Sequence, residues 1–220
     1  FPILLSATNL LGGYMHDLYV RNNIGYANSA NNGLYVYDFS NPTNIQTLGS
    51  MTSYPQQGYN HASWLNPAGD VLIMADETSN TSVKAVDVSD LSDIEVTSLF
   101  RSELLAPTAT GSIAHNPFVR DNYAIISYYH DGVQIFDISD PANVVQTAWY
   151  DTFLNNTNYN GSPGCWGVYP YLPSGNILAA DIQEGLYVLK PTYQNASFLD
   201  VTVVNQNGDP ISNVPITILE

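Results

Sequence analysis

The sequence predicts an all-β fold organised as a β-propeller, with four blade-like units of which the last stops after three strands. Three observations predict it. Short runs rich in Val, Ile, Tyr and Phe alternate with turn signals along most of the chain, the mark of consecutive hairpin-linked strands. The run-and-turn pattern recurs four times at a period of about 50 residues, a blade-sized repeat that a β-sandwich lacks. Chemically matched residues recur at fixed places in each unit, so the repetition is in register.

The clearest unit is Ser112 to Thr152. Its runs are IAHNPFV, YAIISYY, VQIFDI and VVQTAWY, separated by the turns Arg120-Asp121-Asn122, His130-Asp131-Gly132 and Ser139-Asp140-Pro141. Asp-Gly between two apolar runs is a tight-hairpin signal. Phe1 to Leu11 resembles the last run of this unit and is expected to be the fourth strand of a blade. Tyr14 to Ser53 is the first complete unit, with YMHDLYV, IGYANS, the Asn32-Gly33 turn, LYVYDF and IQTLGSM. Tyr59 to Ser102 is the second, with NHASWL, VLIMAD, VKAVDV and IEVTSLF. After an Asn-rich loop from Asn155 to Gly164, the fourth unit offers CWGVYPYL, NILAAD and LYVLK. The propeller part is expected to span residues 1–191.

Three columns emerge from aligning the units. His16, His61, His115 and Trp166 open the first strands, at spacings of 45, 54 and 51 residues. Ser29, Asp76, Tyr128 and Asp181 close the second strands. Asp38, Asp87 and Asp137 close the third, each just before a turn that its carboxylate can fix by accepting backbone N–H bonds. Beyond Pro191 the texture changes. SFLDVTVVNQNGDPISNVPITILE alternates strongly around an Asn207-Gly208-Asp209-Pro210 turn. Residues 192–220 resemble the first hairpin of a carboxypeptidase-regulatory-like β-sandwich, with Asn205 in the usual Asp place.

Composition narrows the function. Only 11% of residues are charged, yet the net charge is −15, with five Lys and Arg in total. Nucleic acid is therefore excluded as a partner, and an anionic membrane would repel the chain. No apolar run reaches membrane-spanning length, so direct insertion by a helix is not expected. Polarity comes mostly from Asn, Ser, Thr and Tyr, which suits an extracellular β surface. The opening FPILL is too short for a signal peptide and lacks a basic flank. A start without Met and an end inside a strand-like run are what a piece of a longer precursor would show. The sequons at Asn80, Asn155 and Asn195 fall in polar loops.

The repeat resembles the LVIVD-repeat propellers, and most closely the choice-of-anchor B surface proteins of bacteria. The resemblance rests on His16-Asp17 before LYV, Tyr59-Asn60-His61 before a Trp-Leu run ending in Asp76-Glu77, and His115-Asn116 before an aromatic. It rests also on Gly132 to Asp137 with its Ile-Ser-Asp-Pro, and on Trp166 to Gly175 running on to Asp181 and Gly185 to Leu189. It covers Tyr14 to Pro191. It implies secretion, a C-terminal anchor or sorting signal, and a ring of about seven blades, completed by further N-terminal blades of the same precursor. A four-bladed alternative would instead pair Phe1 to Leu11 with Leu186 to Lys190. The resemblance implies no mechanism.

Two readings compete for the histidine column. First strands lie nearest a propeller's axis, so His16, His61 and His115 would converge, either as ligands for a divalent or transition-metal ion or as structural rings bonded to the next blade's backbone. Asp76 with Glu77 are further metal candidates, as oxygen ligands for a hard cation. Asp17, His130, Asp131, Trp166 and Asp181 are candidate ligand-binding residues near the channel mouth. No G-x-S-x-G and no glycine-rich phosphate loop is present. Cys165 cannot form an internal disulfide and is expected to be a small buried residue. The leading function is a secreted or cell-surface module that binds protein or glycan partners. A metal-dependent enzyme using the channel histidines and a structural part of a surface assembly are the alternatives.

Overall fold

The computed structural model describes residues 1–104, 111–154, 161–199 and 201–217. They contain strands and no helix. Blade I is β1 (Asp17–Arg21), β2 (Ile24–Asn28), β3 (Leu34–Asp38) and β4 (Gln46–Met51). Blade II is β5 (Asn60–Leu65), β6 (Val71–Asp76), β7 (Val83–Asp87) and β8 (Glu95–Phe100). Blade III is β9 (Pro117–Arg120), β10 (Tyr123–Tyr128), β11 (Gly132–Asp137) and β12 (Val145–Tyr150). Blade IV has β13 (Cys165–Tyr169), β14 (Ile177–Asp181) and β15 (Gly185–Leu189). Every sheet is an antiparallel meander in chain order. β1 packs beside β5 and β5 beside β9, so the first strands of successive blades form the inner wall.

Alternation on the middle strands explains why they read as continuous apolar runs. In β6, Leu72 and Met74 join Leu34 and Val36 of blade I, while Val71, Ile73 and Ala75 face Ile126 and Phe136 of blade III. In β10, Tyr123 and Ile125 face Ile177 and Ala179 of blade IV. Each inner blade is thus buried on both faces, and the core is three apolar layers between blades.

Repeated polar devices fix the turns. The carboxylates of Asp38, Asp87 and Asp137 accept the N–H of Ser40, Ser89 and Ser139 at 2.7, 2.9 and 2.8 Å. A second cap follows, where Asn41, Asp90 and Asp140 accept the N–H of Thr43, Ser92 and Ala142. Gly132 has φ 73°, and a Cβ there would strike the Tyr150 carbonyl oxygen. Only glycine allows this hairpin to close against the outer strand.

Two expectations change. Phe1 to Leu11 forms no strand and does not pair with β15. Its Phe1, Ile3, Leu4, Leu5 and Leu11 are exposed, and its Ser6 hydroxyl bonds the Pro42 carbonyl on blade I. An alternating apolar run becomes a strand only where a sheet edge offers partners and a core covers one face. This segment has neither. The C-terminal segment forms its expected turn, with the N–H of Gly208 donating to Asn205 and that of Asn205 to Asp209. Among the described residues, pairing around it is limited to a single bridge, Val204 to Pro210, and none of them forms a second layer over its apolar residues. The sequon Asn155 and most of the Asn-rich loop lie outside the described residues.

Candidate functional site

The inner wall carries the chemistry, and β-bulges put it there. In β5, Asn60 pairs with Asp76 and Ala62 with Ala75, which leaves His61 as the extra residue. In β13, Cys165 pairs with Asp181 and Gly167 with Ala180, which leaves Trp166 extra. Blade III repeats the pattern, with the His115 N–H donating to Ser127 and the Ser127 N–H to Asn116. A bulge re-aims one side chain out of the strand's regular alternation. Here it turns the same column toward the axis in successive blades.

The rings meet in a continuous stack. Centroids are 4.4 Å apart for His16 and His61, 4.2 Å for His61 and His115, and 4.5 Å for His115 and Trp166. Tyr59 hydroxyl lies 2.9 Å from His16 Nδ1. His115 Nδ1 sits 2.5 Å from the Trp166 carbonyl oxygen, a bond to the next blade's backbone as the structural reading expects. His61 is buried, and its Nδ1 has no well-formed hydrogen-bond partner among the described residues. Burial, with His115 and His16 alongside, pushes the His61 imidazole down to about 3, a contact with the His115 backbone acting the other way. Burial also lowers His115. Both rings are therefore neutral near pH 7.

Glu77 faces this stack. Its Oε2 is 3.6 Å from His61 Nε2 and its Oε1 is 3.9 Å from His115 Nε2. The Tyr129 hydroxyl donates to Oε1 at 2.5 Å, and burial and that carboxylate raise the Tyr129 phenol. Glu77 and Tyr129 occupy equivalent places, one residue beyond the ends of β6 and β10. The axis-facing column is thus one residue later than the Asp76 and Tyr128 column that sequence alignment singled out.

Asp76 points the other way. Its carboxylate pairs with Lys84 Nζ at 2.8 Å, both side chains fully buried. It also accepts from Tyr54 hydroxyl, the Gly58 N–H and Asn60 Nδ2 at 3.0, 2.8 and 3.2 Å. Asp76 and Glu77 therefore do not form one oxygen site, because alternation sends adjacent side chains apart. Asp181 accepts from Thr152 hydroxyl and from the N–H groups of Gln183 and Glu184, as a loop fastener. His130 and Asp131 are buried in the β10–β11 turn, not displayed at a mouth. Trp166 is half exposed at the end of the stack, and exposed Asp17 edges the wall. Cys165 is buried, and burial, with Asp181 nearby, pushes its thiol up to about 12.

A second layer follows three residues further along the same strands. Trp64 lies 4.6 Å from Tyr19, 4.8 Å from Phe118 and 5.7 Å from Tyr171, centroid to centroid. Tyr19, Trp64 and Phe118 line a groove of about 530 Å³ with Asp17, Ser63 and Asn116. Tyr19, Trp64 and Phe118 each stand three residues after a histidine of the column, and that constant offset is the signal in the sequence that orders them; Tyr171 has no such offset.

No protein-family model and no curated protein matches this sequence. Among solved structures it is similar to the WD40 β-propeller domain of Doa1, with TM-score 0.55 and 11% identity, covering 80% of this chain and 51% of that one. It is similar to the dihydro-heme d1 dehydrogenase NirN, with TM-score 0.56 and 11% identity over 93% of this chain and 38% of that one. The β-propeller domain of Cps50 (Swd1) from Myceliophteria thermophila aligns with TM-score 0.53 and 10% identity, over 90% and 62%. At such identities the likeness is one of fold, and the fold is that of β-propeller blades. The chain spans 51% of the Doa1 domain and 38% of NirN.

Proposed function

We propose that the chain is part of an extracellular β-propeller module that binds a protein or glycan partner through its inner wall. The observation that carries this reading is the aromatic layer of Tyr19, Trp64 and Phe118, whose rings meet in series along a groove, each partly buried against the core and partly open to solvent. Large, rigid, partly exposed aromatics supply much contact area at little entropic cost, and they suit both peptide side chains and sugar faces. The net charge of −15 favours a neutral or basic partner. The resemblance to LVIVD-repeat and choice-of-anchor B proteins supports placement at a bacterial cell surface. Further blades of the same precursor would cover the apolar residues now open at the two ends, Leu18 and Val20 on β1 and Leu186 and Val188 on β15.

The test is a glycan array and a cross-linking screen against secreted proteins, followed by affinity measurement with the identified partner. Trp64→Ala should weaken binding by roughly 30-fold, the loss of one hot-spot residue of about 2 kcal/mol, while the far-ultraviolet spectrum stays unchanged. Equal affinity of Trp64→Ala and wild type would place the binding surface elsewhere.

A further inference from the structure

The histidine stack and Glu77 leave an unsolved electrostatic arrangement. The Trp166 carbonyl can only accept, so it takes the proton on His115 Nδ1. That bond leaves His115 Nε2 turned toward Glu77 Oε1 at 3.9 Å. His61 Nε2 faces Oε2 at 3.6 Å. Both gaps exceed a hydrogen bond. Both are close to the separation of about 3.3–3.5 Å between donors that share one tetrahedral ion with bonds of about 2.0–2.2 Å. His16, His61 and Glu77 each place one donor atom within 4.8 Å of the other two.

We propose that His16, His61 and Glu77 bind one divalent transition-metal ion of the zinc class on the propeller's inner wall, with His115 at the adjoining position.

Three features of the surroundings favour a metal over an idle cluster. The outer partners of a metal site are already built: Tyr59 holds His16, Tyr129 holds Glu77 and the Trp166 carbonyl holds His115. The buried Nδ1 of His61 has no well-formed hydrogen bond, only a contact with the His115 backbone, so its Nε2, turned toward Glu77, is the ring atom placed to ligate. Mixed imidazole and carboxylate donors select ions of the zinc class over calcium or magnesium, which take oxygen ligands. Three protein donors leave room for His115 or a water as the fourth ligand.

The experiment titrates Co²⁺ into the untagged 220-residue chain, in buffer without chelators, and then displaces it with Zn²⁺. Wild type should take up one Co²⁺ per chain, with the intense visible absorption of a low-coordinate site, and Zn²⁺ should abolish that signal. Glu77→Gln and His61→Ala should each weaken binding by more than about 100-fold, beyond what loss of an outer partner costs, with His130 intact in both. If His61→Ala does not fold, Glu77→Gln carries the test, because that side chain is a quarter exposed. A wild-type chain that takes up no stoichiometric Co²⁺ or Zn²⁺ would overturn the site. So would folded variants that bind as wild type does.

Discussion

At the scale of single residues, position relative to the bulge decides chemistry. His61 and Trp166 are the extra residues of their strands and reach the axis, whereas Asn60 and Cys165 beside them stay in the ladder. Cys165 pairs across to Asp181 with its sulfur buried, its thiol held well above the ordinary range. It should be inert toward a thiol reagent such as Ellman's in the native chain, and react fully once the chain is unfolded in guanidinium. Rapid native labelling would show that blade IV does not seal this position. The histidine column was legible from spacing alone, since 45, 54 and 51 residues can be compared by eye. Glu77 was recognised only beside Asp76. A one-residue choice between neighbours depends on where a strand ends, which propensity does not resolve.

Among elements, the junction between blades I and II is held by a polar core as well as an apolar one. Asn28 Nδ2 donates to Asn60 Oδ1, and Ser63 hydroxyl donates to Asn28 Oδ1. Asn60 donates in turn to Asp76, whose charge is balanced by Lys84. Lys84 Nζ also donates to the Gln56 carbonyl at 2.8 Å. Removing one member of a fully buried ion pair leaves the other uncompensated, so Lys84→Ala should destabilise the fold by about 3–5 kcal/mol. Urea unfolding measures it, and a loss below about 1 kcal/mol would mean that Asp76 is satisfied without the ammonium. Lys84 was invisible as a core residue in the sequence, because a lysine next to the turn-side end of a strand reads as facing solvent. A blade buried on both faces breaks that rule. The bounds of the second, third and fourth strands, by contrast, followed closely from Asn-Gly, Asp-Gly and Asp-Pro turns whose conformations those residues dictate, whereas the first strands of blades I and III begin later than their apolar runs, at Asp17 and Pro117.

For the whole molecule, the repeat itself was the strongest signal, since one blade's pattern predicts the next. The ends were the weakest. Phe1 to Leu11 and the segment after Pro191 carry the right alternation, but neither finds a sheet edge and a covering layer. Local pattern specifies which face of a strand is apolar; the partner that buries it is a property of the fold. Bulges at the starts of the first strands of blades II to IV bring one residue column together with His16 of blade I at a common wall. The most direct test is a nuclear Overhauser experiment on aromatic ring protons of the intact chain, with histidines assigned by substitution. Contacts should run in sequence from His16 to His61, His61 to His115 and His115 to Trp166, as centroid separations of 4.4, 4.2 and 4.5 Å require. A folded chain in which these rings show no mutual contacts would rule out the common wall.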